Sequence, residues 1–457
     1  MLAPVFPYSR IPVAELLPMS LESRLLDALQ PWREAPRWRV AFSGGLDSTV
    51  LLHLLARLSA RERLPAVSAI HVHHGLQSAA DGWPAHCRSV CDALGMELQV
   101  VRVRVERGPS LERAAREARY TAFGEHLGAA EVLFTAQHRD DQAETMLFRL
   151  LRGAGVRGLA GMPTARKLGG GWLVRPLLGA DRAELYAYAQ AHGLVWIEDP
   201  SNQCTDHTRN YLRHQVVPLL QQRWPGASVS MARAAAHLAE AQYLLDDLAE
   251  IDLQQARLGG RHSWLTVPSL CLAALTRLSP ARQRNALRHW LVTRTTLPDS
   301  DHWAGWDALR DAAVDAAPIW RLAAGELHRG DGRIWWLSGS WLVAPSEPVD
   351  WPQPDSALQL PGNGSVRLSG QGSERSLQVR YRQGGESLNV PGRGRRDLKR
   401  LFNEAGVPGF VRSRLPLLYR GNELVAVANL PQVDVEPLSL VWTPPTDARF
   451  ELMGSFE

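Results

Sequence analysis

A glycine-rich turn, Ser43-Gly44-Gly45-Leu46-Asp47-Ser48, separates a predicted strand at residues 37–42 from a predicted helix at residues 49–58. Glycine allows a tight turn, and the N–H groups that open a helix attract anions. The same order of strand and helix recurs three times, with strands at 66–72, 97–105 and 131–136 and helices at 78–94, 110–127 and 140–151. This alternation predicts an α/β domain with a doubly wound, mostly parallel sheet. In such a sheet the turn lies at the carboxyl edge.

The glycine turn, residues 43–48, is a candidate phosphate site. Its backbone N–H groups and the hydroxyls of Ser43 and Ser48 can donate hydrogen bonds to phosphate oxygens. Asp47 has the same sign of charge as phosphate, so it would act through a bridging metal ion. A plain strand-to-helix turn capped by Asp47 or Ser48 is the alternative. The turn has neither the GxxxxGK[ST] nor the GxGxxG pattern, which argues against a Walker loop and a dinucleotide fold.

Histidines end the second predicted strand, where His71, His73 and His74 precede Gly75. Ligands of a parallel sheet bind at the carboxyl ends of its strands, so we expect an adenine base to stack here. His71 and His73 share one strand face, which leaves a metal site as an alternative. A purely structural role for the histidines is the other alternative.

A third segment, residues 135–145, follows another predicted strand and places carboxylates on one face of a helix. Glu144 lies three residues after Asp141 and four after Asp140, the spacings that bring helical side chains together. Such carboxylates can hold magnesium or a substrate ammonium, and His138 can exchange a proton near physiological pH. Acidic residues that only offset the helix dipole are the alternative.

Two segments that carry arginines follow along the chain. Residues 151–162 contain four glycines together with Arg152 and Arg157, which indicates a flexible basic loop or, alternatively, a plain helix-to-strand connection. Further on, a DPSN turn precedes Arg209 and Arg213. We expect this turn to cap a helix that presents both arginines, with a merely structural turn as the alternative.

The length of 457 residues exceeds that of one ordinary core and predicts several domains. A helical pattern follows the α/β region, a proline-rich stretch comes next, and short strand patterns flanking one helix follow it. We predict an N-terminal extension (1–34), an α/β catalytic domain (35–222), a mainly helical domain (226–344), a linker (345–360) and a small α+β domain (361–440).

The C-terminal region contains a basic cluster that suits RNA phosphates. Its five members are Arg393, Arg395, Arg396, Lys399 and Arg400. Contacts of this kind position an RNA without reading its bases, and a solvated charged surface is the alternative. The net charge of +4 is compatible with a polyanionic partner but does not demand one.

Cysteine usage and hydropathy bear on the compartment. The four cysteines are scattered and form no disulfide framework, and no apolar run is long enough to cross a membrane. We therefore expect a cytosolic protein, as either a monomer or a homodimer.

The segments SGGLDS, HVHHGL, AQHRDDQAET, LRGAGVRGLAGM and DPSN, in this order, resemble the catalytic domain of the tRNA(Ile)-lysidine synthetases. These enzymes belong to the PP-loop, or N-type, ATP pyrophosphatases. RQRNALRHWL resembles their substrate-recognition domain, and residues 387–430 resemble their C-terminal domain. A tRNA thiolase of the same superfamily and a non-catalytic tRNA-binding protein are the alternatives. Cytidine thiolases usually need a cysteine pair, and this chain has no CxxC.

The resemblance implies a two-step ligation. Magnesium and ATP would adenylate the carbonyl oxygen at carbon 2 of the wobble cytidine in the CAU anticodon of tRNA(Ile). The ε-amine of free L-lysine would then displace AMP and give lysidine. Members of the family often have two adjacent histidines where this chain has Gln137-His138, so His138 is the histidine candidate there.

The resemblance also implies roles for single residues. ATP would contact Ser43, Gly44, Gly45, Leu46, Asp47, Ser48, His71, His73 and Gly75. The metal would bind Asp47 and Asp141. Catalysis would involve Asp47, His138, Asp141, Glu144 and either Arg116 or Arg119, with Asp141 and Glu144 receiving the lysine amine. The tRNA would contact Arg152, Arg157, Arg209, Arg213 and the C-terminal basic cluster.

Overall fold

The computed structural model describes most of the chain beyond residue 19. The described ranges are 20–76, 78–105, 111–297, 301–313, 316–369, 377–390, 392–430 and 439–446. Most of the predicted N-terminal extension, the predicted helix start at Ser110 and residues 431–438 of the predicted C-terminal domain lie outside them. The chain divides into two compact units, Met1–Tyr243 and Leu244–Glu457.

Unit 1 alternates strands and helices along most of its length. Its elements are α1 (Leu21–Leu29), β1 (Trp38–Ala41), α2 (Leu46–Ser59), β2 (Val67–His73), α3 (Trp83–Ala93), β3 (Glu97–Arg102), α4 (Leu111–Glu125), β4 (Val132–Phe134), α5 (Arg139–Leu150), α6 (Val156–Leu159), β5 (Ala165–Leu168), β6 (Gly171–Val174), α7 (Arg182–Ala191), α8 (Thr208–Tyr211) and α9 (Val217–Arg223). A π-helical turn, Leu212–Val216, joins α8 to α9. The next helix, α10 (Ala227–Arg257), contributes residues to both units.

The six strands of unit 1 form one sheet in the order β3-β2-β1-β4-β6-β5. All neighbours are parallel except β5, which runs antiparallel to β6. The strand order reverses between β1 and β4, and a crevice at the carboxyl ends of the strands is expected at such a reversal. The glycine turn follows β1 and the segment containing His138 follows β4, so the topology brings both to this crevice.

Apolar side chains cover both faces of this sheet. Trp38 and Val40 of β1 pack with the buried leucines of α2 on one face. Ile70 and Leu133 pack with Tyr120 and Phe123 of α4 on the other. Helices on both faces define a doubly wound α/β fold, as the sequence predicted.

Two features of unit 1 differ from the strand–helix rhythm predicted for it. The predicted helix at 78–94 begins as a 3-10 turn, Ser78–Gly82, before Pro84 opens regular α-helix. The hairpin of β5 and β6 was not predicted. Each of its strands has only four residues, too few for a clear periodic signal, and three glycines lie between Leu168 and Trp172.

Unit 2 combines helices with several small antiparallel sheets. Its elements are β7 (Ser269–Cys271), α11 (Leu272–Thr276), α12 (Pro280–Leu291), α13 (Ala304–Asp311), β8 (Ile319–Leu322), β9 (Gly325–Gly330), β10 (Arg333–Leu337), β11 (Val349–Trp351), β12 (Leu358–Gln359), β13 (Ser365–Ser369), β14 (Leu377–Arg380), β15 (Ser387–Val390), β16 (Gly394–Asp397), α14 (Leu398–Glu404), α15 (Gly409–Arg412), β17 (Leu417–Arg420), β18 (Glu423–Val427) and β19 (Ser439–Thr443). The sheets have the orders β7-β10-β9-β8, β11-β14-β17-β18, β12-β13-β19 and β15-β16.

Strands occupy parts of unit 2 that the sequence pattern assigned to a mainly helical domain and to a linker. Strand was expected only at the end of the helical domain, around Trp335, Trp336 and Trp341, and β10 confirms it at the first two. The four-stranded sheet of β7 to β10 lies within the range 226–344, beside the predicted helices. The range 345–360 holds β11 and β12, and its Trp351 and Leu360 are buried in a core shared with β17 and β18. β7, β11 and β12 have only two or three residues each, which is too short for a periodic signal in the sequence.

Arg333 on β10 closes the end of the long helix α10. Its side chain donates from Nη1 to the carbonyl oxygens of Leu258 and Gly259 at 2.8 and 2.9 Å. Its Nη2 reaches the carbonyls of Ala256 and Arg257 at 3.4 and 3.3 Å. The last carbonyls of a helix have no partner within it, so one buried guanidinium satisfies groups that would otherwise be orphaned.

Replacing Arg333 by methionine should lower the free energy of unfolding by about 3 kcal/mol, because several buried carbonyls lose their donor at once. Urea unfolding followed by tryptophan fluorescence measures the loss. Arg321→Met is the matched control, since the Arg321 side chain on the neighbouring sheet edge is 75% exposed. We expect it to change stability by less than about 0.5 kcal/mol. Equal unfolding midpoints for the two variants would contradict this role of Arg333.

Candidate active site

The glycine turn is tightly packed against a neighbouring loop. Gly44 has a φ of +83°, and a Cβ at this position would stand 2.8 Å from Cδ1 of Ile197 and 3.1 Å from Sγ of Cys87. The N–H of Ile197 also donates to the carbonyl of Gly44 at 2.8 Å. Both the backbone conformation and the space therefore require glycine here.

The turn leads into α2 without a side-chain cap. Gly45 is the residue that precedes the helix, and no side chain of the described chain caps it. The hydroxyls of Ser43 and Ser48 lie 3.0 Å apart, and the Ser48 hydroxyl donates to the carbonyl of Gly45. Capping of the helix by Asp47 or Ser48, the alternative reading of the sequence, is thus not what this turn does. With no side-chain cap in the described chain, the first N–H groups of α2 are available to an anion.

His138 lies at the centre of a group of carboxylates in the same crevice. Its ring nitrogen Nε2 is 3.8 Å from an oxygen of Asp47 and 3.4 Å from one of Asp141. Its Nδ1 is 3.6 Å from an oxygen of Asp140. The side chain is 1% exposed, and neither ring nitrogen has a hydrogen-bond partner within the described residues. Motifs from two different strands thus meet around one imidazole.

Asp47 is destabilised as an anion by its surroundings. Burial raises its pKa, the neighbouring Asp141 raises it further, and the charges of His138, Arg182 and Arg213 only partly oppose this. Its oxygen Oδ1 is buried and has no hydrogen-bond partner within the described residues. A buried carboxylate oxygen without a donor is well suited to accept a cation.

Asp141 and Glu144 are both paired with arginines. Arg213 lies 2.8 Å from Asp141 and 2.7 Å from Glu144, and Arg209 lies 3.3 and 3.2 Å from the same two residues. Burial opposes the charge of Asp141, but His138, Arg209 and Arg213 outweigh it and lower the pKa of Asp141. Two anions and two cations therefore form a compact, nearly neutral group beside the glycine turn.

The DPSN turn positions these two arginines. Asn210 donates from its side chain to the carbonyls of Ser201 and Cys204 at 2.9 and 2.8 Å. The His214 ring bonds the carbonyl of Asn202 at 2.8 Å. Since α8 and the π-helical turn are fixed to the loop in this way, Arg209 and Arg213 project together toward α5. Sequence spacing predicted an ordered turn presenting arginines, but not that they would pair with Asp141 and Glu144.

The histidines at the end of β2 lie at the neighbouring strand end. His71 and His73 are buried within β2, and His74, directly after it, is half-buried. Nδ1 of His71 lies 2.8 Å from the carbonyl oxygen of Phe42, the last residue before the glycine turn. Burial lowers the pKa values of His71 and His74, and the charge of Arg119 lowers both further. Within the described residues no group of three His, Cys, Asp or Glu side chains is arranged to hold a metal ion. His71 and His74 are thus favoured in their neutral form at the edge of the crevice.

Arg116 and Arg119, one turn apart on α4, have different surroundings. The charge of Arg119 acts on His71 and His74, and Asp199 of the DPSN turn acts in turn on Arg119. The guanidinium of Arg116 instead lies 4.9 Å from the centre of the Tyr120 ring. Of the two arginines that spacing could not distinguish, Arg119 is the one beside the predicted nucleotide side of the crevice.

Comparisons with known proteins agree with this geometry. Residues 18–220 match the family model of the PP-loop domain. Residues 270–335 match the TilS substrate binding domain and residues 377–435 the TilS substrate C-terminal domain. The chain is 64% identical to the tRNA(Ile)-lysidine synthase of Pseudomonas fluorescens over 429 residues, which is 93% of this chain and 97% of that protein. The chain belongs to the tRNA(Ile)-lysidine synthase family.

The family identification extends to more distant relatives. The tRNA(Ile)-lysidine synthase of Escherichia coli O157:H7 is 42% identical over 404 residues, covering 85% of this chain and 91% of that protein. Among solved structures, the U34-tRNA thiolase NcsA from Methanococcus maripaludis has a TM-score of 0.40 and 18% identity, covering 48% of this chain and 78% of that one. As a lysidine synthase family member, the chain is a ligase that forms a carbon–nitrogen bond. The identification made from sequence motifs is confirmed.

The basic loop of this lysidine synthase family member is ordered by residues of α5. Gln142 exchanges hydrogen bonds with the backbone of Met162 at 2.7 and 3.0 Å. Arg149 donates to the carbonyls of Gly158 and Gly161, both at 2.9 Å. The loop contains the short helix α6 and is more regular than its glycines suggested. Gln142 and Arg149 were not singled out from sequence, although each lies on the same helix as Asp141.

The C-terminal basic cluster of this family member is solvent-exposed. Arg393, Arg395, Lys399 and Arg400 are all exposed, and Arg396 is half-buried. Arg393 and Arg400 both pair with Glu404, at 2.8 and 3.1 Å, whereas Arg395 bonds the hydroxyl of Ser387. Arg395, Arg396 and Lys399 therefore keep more of their charge available to a polyanion than Arg393 and Arg400 do. No helix within the described ranges is both long and apolar enough to span a membrane.

Proposed function

We propose that this chain ligates free L-lysine to carbon 2 of the wobble cytidine in the CAU anticodon of tRNA(Ile). The observation that carries the proposal is the meeting of an uncapped helix start with a buried group of carboxylates and arginines in one crevice. The uncapped start of α2 would hold the triphosphate of ATP, and the group of carboxylates and arginines would receive the lysine amine. Because tRNA is the proposed substrate, we also propose that the protein acts in the cytosol.

In the first step, the carbonyl oxygen at carbon 2 of cytidine would attack the α-phosphorus of ATP and expel pyrophosphate. The N–H groups at the start of α2 and the hydroxyls of Ser43 and Ser48 would bind the leaving pyrophosphate. The resulting adenylate makes the ring oxygen a good leaving group, since it departs as part of AMP. His71, His73 and Gly75 would line the adenine side of the crevice.

A magnesium ion fits the donors around Asp47. The unpartnered buried oxygen of Asp47 is a hard ligand, and its raised pKa reflects a free-energy cost that a bound cation would offset. Magnesium would supply charge neutralisation of the phosphates when bound. Asp141 has less capacity to bind it, because Arg209 and Arg213 and the backbone N–H of His138 already occupy its oxygens.

In the second step, the lysine ε-amine would attack carbon 2 and AMP would leave. Lysine arrives as an ammonium at neutral pH and must lose a proton before it can attack. Glu144 and Asp141 would bind the ammonium, sharing or releasing their arginines in doing so. His138, whose two ring nitrogens have no hydrogen-bond partner in the described part of the chain, would accept the proton. Arg119 would stabilise negative charge on the transferring phosphoryl group.

The exposed C-terminal cluster would hold the body of the tRNA. Changing Arg395, Arg396 and Lys399 together to glutamine should weaken tRNA binding and reduce the slope of log K against log salt by about 2, since each phosphate contact contributes a little less than one. Equilibrium binding over a salt series measures both. Arg57 in the last turn of α2, with Arg61 and Arg63 just beyond it, provides a triple control with the same change of charge. Identical slopes for the two triple variants would remove the cluster from the tRNA interface.

Nucleoside analysis of the tRNA tests the overall reaction directly. After incubation with ATP and radiolabelled lysine, the tRNA should yield labelled lysidine, and AMP release should require both tRNA and lysine. AMP release that ignores lysine but needs a sulfur donor would instead establish the thiolase alternative. RNA binding without any AMP release would establish the non-catalytic one.

A further inference from the structure

Three arginines surround a single buried tyrosine beside the crevice. Tyr120 of α4 is 7% exposed. The guanidinium carbons of Arg116 and Arg166 lie 4.9 and 5.0 Å from the centre of its ring. Arg116 also approaches the phenol oxygen at 3.4 Å, and the charge of Arg175 acts on the same phenol. We call these four residues the Tyr120 cluster.

The Tyr120 cluster has no compensating anion in the described part of the chain. None of its arginines pairs with a carboxylate there, although most other partly buried arginines of unit 1 do. Nε of Arg166 and Nε of Arg175 are buried and have no hydrogen-bond partner within the described residues. Burial opposes ionisation of Tyr120, but the three arginine charges outweigh it and lower the pKa of the phenol. Like charges held this close are unfavourable unless an anion joins them.

The fold places the Tyr120 cluster at the carboxyl edge of the sheet. Arg175 directly follows β6, and the residue before it, Val174, pairs with Phe134 at the end of β4. Arg166 lies near the same edge because β5 runs antiparallel to β6. Arg116 belongs to the first half of α4, which starts at that edge. The cluster is therefore a neighbour of the crevice and not part of a remote surface.

The cluster and the glycine turn lie on different faces of the sheet. The turn leads into α2, whose leucines pack with Trp38 and Val40, while Tyr120 packs with Ile70 and Leu133 on the opposite face. A nucleotide whose phosphates contact the start of α2 would leave the Tyr120 cluster free for the second substrate. Half-exposed Arg116 and Arg166 would present the reachable donors. Buried Arg175, whose Nη1 is fixed to the carbonyl of Pro163 at 2.7 Å, would add positive charge behind them.

We propose that the Tyr120 cluster binds a backbone phosphate of the RNA strand next to the nucleotide that enters the crevice. Guanidinium groups present planar pairs of donors that match phosphate oxygens, and a phosphate held here would fix the strand without reading a base. This inference rests on the proposed function in so far as it takes RNA to be the second substrate. A phosphate of ATP is the alternative anion for the same arginines. The experiment below distinguishes an ATP phosphate from an RNA phosphate.

The test measures RNA affinity and nucleotide requirement on the same variants. The probe is a transcript of tRNA(Ile) with the CAU anticodon, titrated without ATP or lysine at several salt concentrations. Arg166→Gln should weaken binding about tenfold at low salt and reduce the salt slope by about 0.7 to 0.9. Arg166→Lys should restore most of the slope. Arg113→Gln on the same helix is the control, because its side chain is 77% exposed and paired with Glu117.

Each outcome decides the proposal. Reduced RNA affinity and slope in Arg166→Gln and in Arg116→Gln, with an unchanged ATP requirement for AMP release, supports it. A raised ATP requirement with unchanged RNA binding assigns the anion to the nucleotide and overturns it, as do slopes equal to that of Arg113→Gln. Thermal unfolding of each variant identifies any loss of fold. Since binding is measured without turnover, a failure of the ligation reaction would appear as absent lysidine with the salt slopes intact.

Discussion

Replacing Asp47 by asparagine should reduce the rate of AMP release by about 1,000-fold or more while leaving tRNA affinity within about twofold of that of the unaltered protein. The substitution keeps the size of the side chain but removes the charge of a carboxylate in the glycine turn, whose Oδ1 has no hydrogen-bond partner among the described residues. An amide is a poor magnesium ligand, so the variant would lose the metal ion. The charge of the leaving pyrophosphate would then not be offset. Initial rates of AMP formation at saturating ATP, tRNA and lysine measure the effect.

Asp140→Asn is the matched control for this prediction. Asp140 also lies beside the His138 ring, at 3.6 Å, but its Oδ2 already accepts the backbone N–H of Arg182 at 2.9 Å. We expect this variant to lose less than about tenfold in rate, because an amide oxygen can still accept that hydrogen bond. Comparable losses in the two variants, or near-normal AMP release by Asp47→Asn, would exclude Asp47 from a special role at the phosphates.

The convergence of Asp47 and His138 could be predicted from sequence for a topological reason. Both follow predicted strands of a parallel sheet, and the carboxyl ends of such strands meet at one edge. The structure places their side chains 3.8 Å apart although ninety-one positions separate them along the chain. Glycine was predictable at Gly44 for a similarly local reason, since only a tight turn links the strand end to a helix start.

The pairing of Arg209 and Arg213 with Asp141 and Glu144 could not be predicted in the same way. The arginines follow a polar loop whose path depends on tertiary contacts of Asn210 and His214, and no strand register fixes it. A weak signal was present, because arginines four apart and acidic residues three apart each form one helix stripe. Two complementary stripes suggest facing helices, but they do not say which helices face each other.

The Tyr120 cluster was missed because its members come from a helix and from an unpredicted hairpin. Arg116 and Tyr120 share α4, whereas Arg166 lies on β5 and Arg175 directly follows β6, and the short strands of this hairpin carried too little pattern to be recognised. Basic residues spread over sixty positions look like ordinary surface charge in a sequence. Only the antiparallel pairing of β5 with β6 brings them to one tyrosine.

Glu144→Gln should raise the lysine concentration needed for half-maximal rate by about 30- to 100-fold and change the ATP requirement by less than about threefold. Glu144 is 3% exposed and accepts hydrogen bonds from both Arg209 and Arg213. Asp141 and Glu144 together balance the charges of the two guanidinium groups. Binding of the lysine ammonium adds a further positive charge, so it is favourable only if both carboxylates are ionised. Loss of one buried charged partner costs about 2 to 3 kcal/mol, which corresponds to this range.

Glu184→Gln on α7 is the control for the Glu144 variant, because Glu184 is a partly exposed carboxylate that pairs with Arg24 in the same unit. Lysine and ATP titrations of lysidine formation should leave both requirements of Glu184→Gln unaltered. If Glu144→Gln raised the two requirements equally, Glu144 would organise the crevice as a whole and not receive the amine. An unaltered lysine requirement would leave Asp141 to bind the ammonium and would confine Glu144 to holding Arg213. The ratio of the two requirements therefore distinguishes an amine-binding carboxylate from one that only anchors the arginines.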